Sequence, residues 1–233
     1  MNELRSTIYE LLTKAQEAYG TKDAVRYKVK EAGSGGKKET KVECKTYTQL
    51  REDSERFSAA LESLGEQGAH IAIVGDNSYP WLVSYYGTVN GGSVAVPLDA
   101  NLPAEDLCEL IDRADASVLV VDEIRKDVML AAKAKCPKLK YIISMQKETA
   151  DEEALSFRQL LKEHEGAFSH EPKPEDLATI MFTSGTTGKS KGVMLTHRNL
   201  AENATCLDMK FPERTVILTV LPIHHAYCLS MDI

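Results

Sequence analysis

The chain has 233 residues, 43% of them hydrophobic and 27% charged, and its 28 Lys and Arg against 35 Asp and Glu leave a formal net charge of −7. This composition belongs to a globular chain able to bury a sizeable core, and it excludes an intrinsically disordered one. The acidic balance excludes nucleic-acid binding driven by overall charge, which needs clustered Lys and Arg, but leaves room for a local phosphate site.

No stretch approaches the ~18 apolar residues that a membrane span requires. The N-terminus carries Glu3 and Glu10 and no continuous apolar run, so it does not read as a secretory signal. Cys44, Cys108, Cys136, Cys206 and Cys228 show no CxxC spacing. An odd number of scattered thiols argues against a disulfide framework or zinc knuckle and fits a reducing cytoplasm.

Leu4, Ile8, Leu11, Leu12 and Ala15 recur at helical spacing, and Gly20 can close that helix. Residues 25–29 and 41–45 alternate apolar with polar around a Gly- and Lys-rich stretch at 31–39, which predicts a β-hairpin with a loose turn. Leu50, Phe57, Leu61 and Leu64 make a second helical stripe, with Thr48 as N-cap and Gly65 just past its end.

A regular alternation follows. Strands are predicted at 69–74, 93–97, 117–121 and 141–144, and helices at 79–89, 103–114 and 123–135. Pro80 and Pro103 are tolerated in first turns. Strands apolar on both faces, separated by amphipathic helices, imply a mostly parallel, doubly wound α/β sheet covered on both sides. Ligands in such sheets bind beyond the carboxyl ends of the strands. Residues 146–175 read as a polar surface excursion with one helical patch at 157–161, closed by Pro172 and Pro174. The boundary divides the chain into a sheet unit, 1–175, and a second part, 176–233.

The most informative stretch comes next. Residues 177–182 read as a buried strand, followed by Thr183-Ser-Gly-Thr-Thr-Gly-Lys-Ser-Lys-Gly192. Gly185, Gly188 and Gly192 permit positive φ and close backbone approach. Successive N–H groups in such a turn can form an anion-binding nest. Thr183, Ser184, Thr186 and Thr187 add hydroxyls that can also ligate a hard cation, and Lys189 and Lys191 add positive charge. The loop is two residues short of a Walker A motif, and residues 192–196 read as a strand rather than a helix start, which disfavours a P-loop kinase or GTPase. A helix is predicted at 197–209, capped by Thr196.

The loop resembles the signature of the adenylate-forming, AMP-binding superfamily, which includes acyl-CoA synthetases, peptide-synthetase adenylation domains and firefly luciferase. Lys45-Thr-Tyr-Thr-Gln-Leu50, His70-Ile-Ala-Ile-Val-Gly-Asp-Asn-Ser-Tyr-Pro-Trp81, Gly91-Gly-Ser-Val-Ala-Val-Pro-Leu98, Leu119-Val-Val-Asp122 and Leu221-Pro-Ile-His-His-Ala-Tyr227 are similar to further landmarks of that family, in order along the chain. Ser190 stands where the family usually has proline, which should leave the turn less stiff.

The resemblance implies a truncated N-terminal domain of a bacterial-type long-chain fatty acid–CoA ligase. Its partners would be ATP with Mg²⁺, a carboxylate such as a fatty acid, and coenzyme A. Thr183, Ser184, Gly185, Thr186, Thr187, Gly188 and Lys191 would bind the phosphates, with Thr183 touching Mg²⁺. Lys191 and His225 would serve catalysis, His225 and Tyr227 the acyl substrate. His224 and His225 are read as a strand, where neighbours point to opposite faces, and no HExxH pattern supports zinc.

The family's adenine pocket, ribose-binding Asp and hinged C-terminal domain have no counterpart before Ile233. The chain is therefore expected to be a cytoplasmic fragment that lacks ligase activity by itself. A peptide-synthetase adenylation domain and a non-catalytic nucleotide-binding module are the alternatives.

Overall fold

Strands with no polar face can be stable only between two layers, and the chain supplies both. The computed structural model describes residues 6–32, 38–166, 170–183, 190–206, 215–225 and 229. In chain order the elements are α1 (Ile8–Tyr19), β1 (Asp23–Ala32), β2 (Lys38–Thr46), α2 (Tyr47–Ser63), β3 (His70–Val74), α3 (Tyr79–Asn90), β4 (Val94–Leu98), α4 (Ala104–Arg113) and β5 (Ala116–Val121). A 3₁₀ turn (Glu123–Arg125), α5 (Lys126–Lys135), β6 (Tyr141–Ser144), β7 (Leu155–Ser156), α6 (Phe157–Glu163), β8 (Leu177–Thr183), β9 (Lys191–Thr196) and α7 (His197–Thr205) follow.

β3 to β9 form one sheet in the order β7-β6-β5-β3-β4-β8-β9, parallel except for β9, while β1 and β2 pair antiparallel by themselves. The expected doubly wound α/β sheet is thus present. Side chains alternate strictly between its faces. Ile71, Ile73, Val118 and Val120 join Leu12, Phe57, Trp81, Phe157 and Leu200 from α1, α2, α3, α6 and α7. Ala72, Val74, Leu119 and Val121 join Leu107, Ile111, Val128 and Met129 from α4 and α5. Full burial of one such Val, Leu or Ile contributes about 1.5–3 kcal/mol.

Several local expectations are revised. The N-cap of α2 is Thr46, not Thr48: Thr46 Oγ1 accepts from the Gln49 amide at 3.2 Å and Gln49 Oε1 from the Thr46 amide at 3.0 Å, a reciprocal capping box. Gly65 does close α2, at φ +75°, with its amide on Glu62 O and the Glu66 amide on Leu61 O. The predicted helix at 123–135 is a 3₁₀ turn and then α5, because Asp122 caps the Ile124 amide one turn early. The polar excursion contributes β7, a two-residue edge strand too short to show a period. α7 ends at Thr205 rather than 209, and 207–209 lie outside the described residues.

Candidate functional site

The winding of the sheet places its crevice. β3 is followed by β4 on one side and β5 on the other, so connections diverge at the carboxyl end of β3, where ligands of such sheets bind. Pro97 in β4 has no N–H to offer. The ladder from β4 to β3 runs along all of β4, but only one rung, Ala95↔Thr179, joins β4 to β8. Counting on equally from that rung, Asp99 and Thr183 leave the sheet at the same level.

Thr183 is exposed at the end of β8, and its rung partner across the hairpin is Lys191, also exposed, at the start of β9. Their side chains share one face of the ladder, because Met181 and Val193 form the next rung of the same parity. A hydroxyl and an ammonium therefore project together beyond the sheet. Ser184, Gly185, Thr186, Thr187 and Gly188 lie outside the described residues. Gly192 sits inside β9 with ordinary φ, so it serves close approach rather than a left-handed turn. Arg113, from the last turn of α4, donates from Nη2 to the Ser190 carbonyl at 2.7 Å.

The histidine segment reaches the same end. Residues 222–225 form a turn, not the strand expected, closed by the His225 amide on the Pro222 carbonyl at 3.0 Å. Ile223 is buried in the core, and Asn77, just past β3, brackets it. Asn77 Nδ2 donates to the Leu221 carbonyl at 2.7 Å, and Asn77 Oδ1 accepts from the Ile223 amide at 2.9 Å. His224 is half-buried, its Nε2 3.6 Å from Asp99 Oδ1, beyond hydrogen-bond length. Burial holds its pKa below the usual histidine value, with Asp99 pulling upward and His225 downward. His225 is exposed. The pair occupies different environments within a turn, in place of the strand alternation expected. Tyr227 lies outside the described residues.

Asn77 and Asp99 escaped the reading of the sequence. Both follow the carboxyl ends of strands whose positions were legible, and that rule could have flagged them. Their partners, however, lie more than a hundred residues away. The opposite end of the sheet holds a hollow lined by Glu66, His70, Ser117 and Lys140. There the buried Glu66 carboxylate is satisfied by the Ser117 hydroxyl and by Lys140 Nζ at 2.8 Å, which makes that end an anchor for β3, β5 and β6.

The sequence profile of AMP-binding enzymes matches residues 13–233. Long-chain-fatty-acid–CoA ligase 5 of Rattus norvegicus is 33% identical over 206 residues, covering 78% of this chain and 30% of that protein. Crotonobetaine/carnitine–CoA ligase of Salmonella typhimurium is 28% identical over 196 residues, covering 78% and 37%. The chain therefore spans about a third of these relatives' length. Among solved structures, a long-chain-fatty-acid-CoA ligase from Archaeoglobus fulgidus superposes with a TM-score of 0.82 at 21% identity, over 100% of this chain and 45% of that one. The N-terminal domain of FACL13 from Mycobacterium tuberculosis gives 0.77 at 22% identity, over 97% and 54%. At those identities the likeness speaks for the fold alone.

Proposed function

The chain belongs to the AMP-binding enzyme family, and from that premise we propose that residues 1–233 are the N-terminal part of an AMP-forming fatty acid–CoA ligase. The observation that carries this reading is that the Thr183–Lys191 rung and the His224–His225 turn lie at the same end of the sheet, the turn held by Asn77 just past β3.

In the proposed reaction a carboxylate oxygen attacks the α-phosphorus of ATP. The bond to the bridging oxygen breaks, pyrophosphate leaves, and an acyl-adenylate forms. The sulfur of coenzyme A then attacks the acyl carbon, gives up its proton, and displaces AMP. The barrier is electrostatic, since one anion must approach a polyanion, so fixed positive charge and N–H donors matter most.

Lys191 supplies that charge from a strand end, where its position costs no loop ordering. Thr183, Ser184, Gly185, Thr186, Thr187 and Gly188 hold the β- and γ-phosphates. The Thr183 hydroxyl, exposed and on the lysine's side of the ladder, would offer Mg²⁺ one hard oxygen donor. When bound, Mg²⁺ offsets the charge of the departing pyrophosphate. His225, exposed beside the pinned Ile223, faces the carboxylate, and Tyr227 lines the acyl site. The chain spans about a third of its curated relatives' length, and the 233 residues by themselves are proposed to carry no ligase activity. Among the described residues no helix is long and apolar enough to cross a membrane.

Titration of the ¹⁵N-labelled chain with magnesium pyrophosphate and with MgATP tests the reading. Shifts are expected at the amides of Thr183 and residues 190–192, with no carboxylate-dependent pyrophosphate–ATP exchange. Absence of any shift there, or shifts clustered around Glu66 instead, would overturn it.

A further inference from the structure

We infer that Arg113 is a positioning residue for the phosphate hairpin, gripping both of its strands next to Thr183 and Lys191. The inference rests on the phosphate-handling role proposed for that rung. Arg113 Nη2 donates to the carbonyl of Ser190, the residue before Lys191, at 2.7 Å. The same guanidinium lies over the ring of Phe182, the residue before Thr183, 5.6 Å from its centroid. One planar cation from α4 thus ties down both neighbours of the rung.

The surroundings favour this grip. Gly192 is the rung partner of Phe182, and a Cβ there would come 3.1 Å from Ile180 Cγ2 and 3.5 Å from Phe182 Cε1. The missing side chain lets the aromatic ring lie close against the ladder and present a surface to Arg113. Among the described residues β9 is the outermost strand, paired with β8 alone, so Ser190 and Lys191 at its start have no second strand beside them. Ser190 also lacks the ring that would fix φ in a proline. A hydrogen bond to its carbonyl from a rigid helix does that work instead. Arginine suits it, being always charged, able to stack and donate at once, in a way a lysine cannot reproduce.

A plainer role competes. Arg113 ends α4, where any cation complements the helix dipole, and it pairs with Glu109 one turn back at 3.5 Å. Lysine would serve that role equally well. The two roles therefore separate in Arg113→Lys.

The test titrates the full ¹⁵N-labelled chain with magnesium pyrophosphate, reading the amides of Ser190, Lys191 and Gly192, in wild type, Arg113→Ala and Arg113→Lys, with melting midpoints alongside. The wild type is expected to saturate. Both variants are expected to need about tenfold more pyrophosphate, the cost of one charge-assisted tie, with Ser190 and Lys191 amides shifted already in the unliganded state. Midpoints should stay close to wild type. Arg113→Lys binding as wild type does would overturn the inference in favour of the dipole role, and so would an unchanged Arg113→Ala. A wild type that fails to respond would instead remove the phosphate reading itself.

Discussion

β5 and two other stretches, β9 and residues 215–221, are built from similar residues and have opposite fates. Val118, Leu119, Val120 and Val121 are all fully buried. Met194 is 66% exposed, Val216 68% and Leu218 82%. β-branched and apolar content is high in both, so composition does not separate them. Cover does. β5 has strands on both sides, with α2 and α3 over one face and α4 and α5 over the other, whereas β9 has one strand neighbour among the described residues. Ile223 marks the boundary: it is 4% exposed because its side chain enters the core while Asn77 holds its backbone on both sides. The candidate site lies along this boundary, where strands leave the packed layers, and ligand-handling elements are commonly drawn from such less stable edges.

If cover separates the two, truncating a side chain must cost most where cover is complete. Leu119→Ala is expected to destabilise the chain by about 2–5 kcal/mol in urea unfolding, through the cavity left between α4, α5 and the sheet. A loss well under 1 kcal/mol would show β5 to be far less tightly packed than its burial implies.

Acid should loosen the edge next. His197 begins α7 directly after β9, is fully buried, and accepts the Ile8 amide on Nδ1 at 3.3 Å. Burial pushes its pKa down to about 4, against a smaller upward pull from Asp176. An unfolded histidine titrates near ~6.5, so the unfolded state takes up the proton first. The stabilisation present above about pH 6.5 is therefore lost as pH falls toward 4, by on the order of 3 kcal/mol. Unfolding curves at pH 7 and 4.5 should show this drop in wild type and a smaller one in His197→Gln; parallel drops would discard the histidine as its source.

Lys191→Ala should weaken pyrophosphate binding about tenfold by removing an exposed charge, with little change in melting midpoint. Equal losses of binding and stability would mean that Lys191 is a packing residue. Asn77→Ala removes two hydrogen bonds to the turn and should cost about 1–2 kcal/mol locally, read as faster amide exchange at Ile223. Unchanged exchange would assign the seating of the turn to the Ile223 side chain alone. Smallest of all, Leu218→Ser should shift stability by no more than about 0.5 kcal/mol. A larger loss would reveal cover over residues 216–221.

Much of the sheet was legible in residue order. The strands now numbered β3, β4, β5, β6 and β8 declare themselves as short apolar runs between amphipathic helices, because each is buried on both faces. β7 was not legible, since two residues show no period, and the early 3₁₀ turn depended on one side-chain cap at Asp122. Of the candidate site, Thr183, Lys191 and His225 were singled out by the order of glycines, hydroxyls and lysines and by resemblance. Asn77, Asp99 and Arg113 were not, because nothing near them in the chain names their partners at 221–223, 224 and 190.

Residue order therefore settled what is local: which segments are strands or helices, which loop is rich in glycines, hydroxyls and lysines, and the family to which the chain belongs. Packing settled what is distant: that Arg113 reaches Ser190, that Asn77 and Asp99 receive the histidine turn, and that His197 is sealed against α1. The reason is that periodicity and turn chemistry act over a few residues, whereas these contacts close loops of 77 to 189 residues and exist only once the two layers have come together on the sheet.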